Sequence, residues 1–265
     1  MNILLSYPDH AFQRRVIGKL SSKCRVLPIG KSVCGREITA LQFGGEKCCP
    51  LIAAGFHGME YLTVLAALRF AGELAPGKSV CIVPCVNPDG TEIALHGTTE
   101  EERRRQANAR GVDINHNFNA DWENVKRRER AAGITCPGAA RFGGYCPESE
   151  PETRALTRLC RERGFSRVLA LHSQGREIYW DFGEHTPKEC RALAEKMSEV
   201  SGYAVASPEP LATGGGFKDW FIQTFHRCGF TVEMGLGENP LPLTDFEAEY
   251  PVVRRILNTF LSGVS

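Results

Sequence analysis

Residues 51–60, LIAAGFHGME, decide how the rest of this chain is interpreted. The apolar first half is typical of a buried strand, and Gly55 with Gly58 indicates a sharp turn. From Glu60 onward, apolar residues recur at helical spacing, so His57 follows a strand and Glu60 opens a helix. Zinc binds imidazole and carboxylate groups, and a catalytic zinc site usually has three protein ligands and one open position. A His-x-x-Glu pair alone is a weak signal, so the zinc hypothesis depends on the remaining sequence.

Composition sets limits on size and partners. The chain has 265 residues, 42% of them hydrophobic and 24% charged. This is enough for a sizeable core, and no linker or repeat interrupts it, so we predict a single domain over residues 1–265. The formal net charge of +1 gives no overall field, and nucleic acid is not predicted as a partner. Basic clusters at Arg103–Arg105 and Lys126–Arg130 are interpreted as solvated surface.

The sequence also bears on compartment. No apolar run of about 18 residues occurs, so no membrane insertion is predicted. The apolar run at residues 1–6 is too short for a secretory signal, and a cytoplasmic location is the expectation. The 11 cysteines are then expected to be reduced and to take no part in catalysis. Export would instead allow Cys136 and Cys146, which share a loop, to pair.

Strands and helices alternate along the chain, which predicts an α/β fold with a mixed, mostly parallel sheet and helices on both faces. Residues 96–147 are polar and weakly periodic, and loops of this length are usually functional or disordered. Capping boxes are predicted at Ser149–Glu152 and Thr244–Glu247, and a turn at Asn87–Gly90. The predicted strands are 24–29, 38–43, 51–56, 80–86, 167–172, 177–182 and 230–234; the predicted helices are 8–22, 60–74, 149–163, 186–201, 217–227 and 244–261.

Ligands of such folds gather at the carboxyl ends of the strands. His57, His172 and Glu233 each lie at or near a predicted strand end. His172 is therefore the candidate for the third zinc ligand, although 115 residues separate it from His57 and only the fold can bring them together. None of the other five histidines ends an apolar strand. A single histidine of this kind is more often a core residue whose hydrogen bonds are satisfied within the protein. The agreement among the three strand-end positions is what favours a metal site.

Five motifs together resemble the zinc metallocarboxypeptidase family. They are GFHGME at 55–60, NPDG at 87–90, GVDIN at 111–115, LHS at 171–173 and TVE at 231–233. They occur in the order of that family and extend over roughly residues 25–262. The resemblance implies an α/β sandwich around a mixed sheet of about eight strands.

The resemblance also implies roles for individual residues. His57, Glu60 and His172 match the ligands of one zinc ion, and Glu233 matches the general base. A carboxylate suits that role because it can accept a proton from a water whose pKa the metal lowers to about 7. Asp113 matches the carboxylate that orients the first zinc histidine.

Three positions depart from the family pattern. Asn115 matches a residue that holds a substrate carboxylate, but the arginine expected beside it is His116, so a bidentate clamp is lost. The mobile tyrosine of the family falls near Leu211, where the sequence has no tyrosine. The arginine that polarises the scissile carbonyl is expected before Asn115, where residues 103–105 all compete; we favour Arg105.

Four further segments resemble a bacterial branch of the family, the γ-D-glutamyl-meso-diaminopimelate peptidases, which act on peptidoglycan stem peptides. The segments are 113–122, 172–180, 213–220 and 233–240. The resemblance implies a peptide substrate derived from peptidoglycan.

The position that sets specificity in the family falls at Lys218. The diaminopimelate side chain ends in an amine and a carboxylate, so Lys218 is predicted to bind the carboxylate, with Asp219 or Glu177 near the amine. Three alternatives stay open. They are a zinc carboxypeptidase of ordinary peptides, a deacylase of N-acyl amino acids, and an inactive peptide-binding module. An inactive module would usually have lost a metal ligand or the base, and all four positions are present.

Overall fold

A single mixed sheet of eight strands organises the computed structural model, which describes residues 5–263. The strands are β1 Arg25–Lys31, β2 Glu37–Phe43, β3 Leu51–Ala53, β4 Val80–Val83, β5 Val168–His172, β6 Glu177–Tyr179, β7 Ala204–Ala206 and β8 Gly229–Glu233. Their spatial order in the sheet is β1-β2-β4-β3-β5-β8-β6-β7.

The four central strands, β4, β3, β5 and β8, run parallel to one another. At one edge β2 pairs antiparallel with β4 and β1 with β2. On the other side β6 runs antiparallel to β8, and β7 parallel to β6. The predicted mixed, mostly parallel sheet of about eight strands is confirmed. Strand β7 was not predicted, because its short segment is largely exposed.

Helices cover both faces of the sheet, as the uninterrupted apolar character of the central strands requires. The helices are α1 His10–Leu20, α2 Tyr61–Glu73, α3 Pro88–His96, α4 Glu100–Arg103, α5 Trp122–Ala131, α6 Pro151–Arg163, α7 Glu189–Ser201, α8 Phe217–Phe225 and α9 Phe246–Ser262.

Two hydrophobic cores result, one on each face of the sheet. In β3, Ile52 points into the core formed with α1, α2, α7 and α9. Its neighbours Leu51 and Ala53 point into the core formed with α6 and α8. The alternation follows from the period of two in a strand, which sends successive side chains to opposite faces.

Several local predictions need correction. The segment 96–147 contains α4 and α5. Asn87 caps α3 by accepting a hydrogen bond from the Gly90 amide at 2.9 Å, where a turn alone was predicted. The predicted capping box before α6 is wrong. Glu150 occupies the N-cap position, and Glu152 accepts a hydrogen bond from the distant Val33 amide at 3.0 Å. Helix α9 likewise begins without a side-chain cap.

One cysteine pair contradicts the expectation that all cysteines are reduced. Cys190 in α7 forms a disulfide with Cys228, just before β8, although 38 residues separate them. The other nine cysteines are free, and they include exposed Cys136 and Cys146. No helix in residues 5–263 is long and apolar enough to cross a membrane. Residues 1–4, on which the expectation about a secretory signal partly depends, lie outside the described residues.

Candidate functional site

The sheet brings the predicted site residues to one edge. His172 is the last residue of β5 and Glu233 the last of β8, and the two are register partners in adjacent parallel strands. On the other side of β5 lies β3, which leads through a tight turn to His57 and to Glu60 at the N-terminus of α2. Because these strands are parallel, their carboxyl ends lie side by side.

Three side chains converge as a metal site requires. Nδ1 of His57 lies 2.7 Å from one carboxylate oxygen of Glu60, and Nδ1 of His172 lies 3.0 Å from the other. One ligand atom from each residue lies within 4.8 Å of the others. Glu60 and His172 are buried. Two imidazole nitrogens facing one buried carboxylate are the donor set that zinc prefers, so the residues fit the metal.

Asp113 fixes the orientation of the first histidine. Its Oδ1 atom lies 3.2 Å from Nε2 of His57, which leaves Nδ1 directed toward Glu60 and the ion site. The Asp113 carboxylate also accepts hydrogen bonds from the amides of Asn115 at 3.0 Å and Arg141 at 3.1 Å. A carboxylate behind a metal-binding histidine sets the tautomer and the orientation of the ring.

The charges of the cluster shift each pKa in a direction that follows from its neighbours. Burial raises the pKa of Glu60, but the imidazoles of His57 and His172 outweigh it, and the pKa falls to about 2. Burial lowers the pKa of His57, yet Glu60 and Asp113 raise it well above its usual value. The cluster therefore favours an ionised Glu60.

The pKa of Glu233 shifts in the opposite direction to that of Glu60. Burial, and then the negative charge of Glu60, raise the pKa of Glu233 well above its usual value. A carboxyl group with a raised pKa at a strand end, beside a metal-ligand set, suits proton transfer.

A cavity of about 730 Å³ contains this cluster. Its lining includes every predicted site residue except one: His57, Glu60, Asp113, Asn115, His116, His172, Lys218, Asp219 and Glu233. A second cavity of about 470 Å³ lies next to it, and both are lined by Ser207 and Pro208.

The exception is Arg105. Its guanidinium donates through Nε and Nη2 to the Asn108 carbonyl, at 3.1 and 2.6 Å, and it does not line the cavity. Arg103 donates to carbonyls at residues 97 and 98. Arg104 is the member of the trio that lines the cavity. The choice of Arg105 as the residue facing the substrate is therefore wrong in this geometry.

Asn115 and His116 are the two residues at the position where the family has an asparagine and an arginine that hold a substrate carboxylate. Oδ1 of Asn115 accepts a hydrogen bond from the Phe217 amide at 3.0 Å. Nδ1 of His116 lies 3.3 Å from Oε1 of Glu129, a completely buried carboxylate that also bonds to Lys126. Lys126 is only 7% exposed, so its interpretation as solvated surface is wrong.

Lys218 is buried, and its charge is already matched. Its ammonium group donates to the Asp181 carbonyl at 2.6 Å and to one oxygen of Asp219. The other oxygen of Asp219 accepts from the Gly214 amide at 2.7 Å. The two residues therefore pair with each other in the cavity wall, whereas the sequence analysis predicted that Lys218 binds the substrate carboxylate and that Asp219 or Glu177 lies near the amine.

Tyr179 also lines the cavity, and the sequence analysis did not identify it as a site residue. Its hydroxyl donates to Oε2 of Glu177 at 2.5 Å. Burial, and then this hydrogen bond, raise the pKa of Tyr179. The signal was the spacing of two in Glu177-Ile178-Tyr179, which places the first and third side chains on one face of a strand. Leu211, near which the mobile tyrosine of the family would fall, lies in the short 3-10 helix Pro210–Ala212, which contains no tyrosine.

Comparison with known proteins gives consistent relatives. The sequence pattern of the zinc carboxypeptidase family matches residues 10–250. The chain is 33% identical to gamma-D-glutamyl-L-diamino acid endopeptidase 1 of Lysinibacillus sphaericus, over 97% of this chain and 72% of that protein. It is 36% identical to murein peptide amidase A of Escherichia coli K12, over 67% of this chain and 68% of that protein.

Solved structures share the fold. The bovine thrombin-activatable fibrinolysis inhibitor, in complex with a tick carboxypeptidase inhibitor, has a TM-score of 0.77 at 18% identity and covers 97% of both chains. A murein-tripeptide amidase from Escherichia coli O157 has a TM-score of 0.63 at 23% identity, covering 88% of this chain and 91% of that one. At these identities the likeness shows the architecture alone.

Proposed function

We propose, from the premise that this chain belongs to the zinc carboxypeptidase family, that it hydrolyses a γ-D-glutamyl bond of peptidoglycan stem peptides. The bond joins the γ-carboxyl of D-glutamate to the α-amine of meso-diaminopimelate. One observation carries the proposal: the His57, Glu60 and His172 set and the Glu233 carboxyl lie in one cavity. Two relatives whose names state actions on such peptides support the choice of substrate.

The chain's own residues would divide the work as follows. His57, Glu60 and His172 would hold the zinc ion, and Asp113 keeps the His57 ring in place. Zinc, when bound, supplies a Lewis acid that makes water a stronger acid and polarises a carbonyl. Glu233 accepts the proton of the attacking water and then delivers it to the leaving amine.

Two residues at the cavity wall would handle the substrate. Arg104 takes the role first given to Arg105, because its side chain lines the cavity and that of Arg105 does not. A guanidinium directed at the carbonyl stabilises the negative charge that develops on its oxygen. Asn115 and His116 hold a carboxylate of the peptide, and a histidine in place of arginine makes that contact less demanding.

The alternatives predict different substrates. A carboxypeptidase would release C-terminal residues from ordinary L-peptides, and a deacylase would cleave N-acyl amino acids. An inactive binding module is disfavoured, because the three candidate metal ligands and the candidate base, Glu233, are all present in the cavity. A cytoplasmic location also stays a proposal, with nine free thiols in its favour and the Cys190–Cys228 pair against it.

Mass spectrometry of stem-peptide digests tests the proposal. Incubation with L-alanyl-γ-D-glutamyl-meso-diaminopimelate is expected to release diaminopimelate. A chelator should abolish the reaction and added zinc should restore it. Release of C-terminal residues from ordinary L-peptides, without cleavage of the γ-linkage, would contradict the proposal and favour the carboxypeptidase alternative.

A further inference from the structure

The charged groups around the catalytic cavity are mostly matched in pairs. Three ion pairs line it: Arg104 with Glu238 at 3.5 Å, Arg141 with Glu209 at 2.8 Å, and Lys218 with Asp219. Asp113 and Glu60 face histidines. Within residues 5–263, the two remaining cavity carboxylates, Glu177 and Glu233, have no lysine, arginine or histidine side-chain nitrogen within 4.0 Å. Glu233 is assigned to proton transfer. The sequence analysis offered Asp219 or Glu177 for the amine of diaminopimelate, and Asp219 is already paired with Lys218, so Glu177 is the candidate that remains.

Strand pairing places Glu177 beside the reaction centre. In the antiparallel pair of β6 and β8, Glu177 is the register partner of Glu233. Partners in adjacent strands project from the same face with Cβ atoms about 5 Å apart. Glu177 therefore lies close enough for the side chain of a residue next to the scissile bond to reach it.

Tyr179 holds the Glu177 carboxylate in position through a hydrogen bond. The tyrosine hydroxyl donates to Oε2 of Glu177 at 2.5 Å and fixes the carboxylate in the cavity wall. Both residues are partly exposed to the cavity. A partly desolvated carboxylate without a counter-ion is unfavourable, and an incoming ammonium group would relieve that cost.

We infer that Glu177, held by Tyr179, is the site that recognises the side-chain ammonium group of the diamino acid after the scissile bond. The inference rests on the proposed function and names the specificity residue within it. It also changes an expectation from sequence. Lys218 was to select the far carboxylate of diaminopimelate, but the Asp181 carbonyl and Asp219 already engage its ammonium group. Lysine should therefore be accepted nearly as well as diaminopimelate.

Kinetics on three γ-D-glutamyl tripeptides test the inference. The residue after the bond is meso-diaminopimelate, L-lysine, or L-2-aminoheptanoate, which carries a methyl group where lysine carries its ammonium. For the wild-type protein we expect kcat/KM to be at least about tenfold higher for the lysine peptide than for the aminoheptanoate peptide, as a charged hydrogen bond provides. Glu177→Gln should reduce this ratio to within about twofold.

A matched control separates a specific effect from a general loss of charge. Glu184→Gln removes an exposed carboxylate that lines the neighbouring cavity, and it should leave the lysine preference intact. Glu177→Asp keeps the charge on a shorter side chain and should retain more preference than Glu177→Gln. Zinc content of each variant shows whether its active site is assembled.

The outcomes distinguish the two proposals. Hydrolysis of none of the γ-linked peptides would overturn the proposed function itself. Equal hydrolysis of the lysine and aminoheptanoate peptides by the wild type would overturn the ammonium site and leave the proposed function standing. A preference that Glu177→Gln leaves unchanged, or that Glu184→Gln reduces equally, would overturn the assignment to Glu177.

Discussion

Replacement of Glu233 by glutamine gives the sharpest test of the catalytic arrangement. The change is isosteric and leaves the backbone pairing between Glu233 and His172 in place. It removes the group that accepts a proton. General-base catalysis contributes about 10²–10⁴-fold, and Glu233 also positions the attacking water, so a loss near 10⁴-fold in kcat is expected. That loss corresponds to about 5 kcal/mol of transition-state stabilisation.

We expect Glu233→Gln not to destabilise the fold, and the direction of the pKa shift of Glu233 gives the reason. The pKa of Glu233 in the metal-free protein is raised well above that of the unfolded chain. The folded state therefore binds the proton more tightly, and stability falls as pH rises from the unfolded pKa through the folded one. Glutamine is always neutral, so metal-free Glu233→Gln should be at least as stable as the wild type at pH 7.

Three measurements check this account. They are kcat on the diaminopimelate tripeptide, zinc content, and thermal unfolding of the metal-free proteins at pH 5 and pH 8. The wild type should lose more stability than the variant between the two pH values. Activity of Glu233→Gln within tenfold of the wild type would refute the role of Glu233. A larger loss of stability in the variant would refute the argument from burial.

Three further predictions concern the metal, the carbonyl contact and the buried network. His172→Ala should bind far less than one zinc per chain, and full zinc content by metal analysis would remove His172 from the site. Arg104→Ala should lower kcat about 10²-fold or more while Arg105→Ala has a much smaller effect; the reverse order in steady-state kinetics would restore Arg105. Glu129→Ala leaves Lys126 buried without its counter-ion and should lower the free energy of unfolding by about 3–5 kcal/mol; a loss below about 1 kcal/mol in urea denaturation would contradict that reading.

Sequence alone was enough to predict the sheet and the metal set. Apolar runs that end in a histidine or a carboxylate mark the carboxyl ends of buried strands, and parallel strands align those ends whatever the distance along the chain. His57 and His172 are 115 residues apart in sequence, yet their meeting follows from strand type and strand ends. The same reasoning placed Glu233 beside them.

Side-chain direction and pairing, in contrast, were decided by tertiary contacts. Arg104 and Arg105 are equivalent in sequence, and they differ because the Asn108 carbonyl is within reach of only one of them in the fold. Sequence does not show which groups surround the Lys218 ammonium. In the fold it donates hydrogen bonds to Asp219 and to the Asp181 carbonyl.

The buried hydrogen-bond network at His116 is a further case in which sequence could not predict the partner of a polar side chain. In sequence, Glu129 is one acidic residue within the basic cluster 126–130, which was interpreted as solvated surface. The fold buries it completely and directs it at His116 and Lys126. Strand ends can be inferred from sequence because periodicity is a property of each segment. The partner of a polar side chain cannot, because the energetic cost of burying a charge depends on which distant groups the folded chain brings within hydrogen-bonding distance.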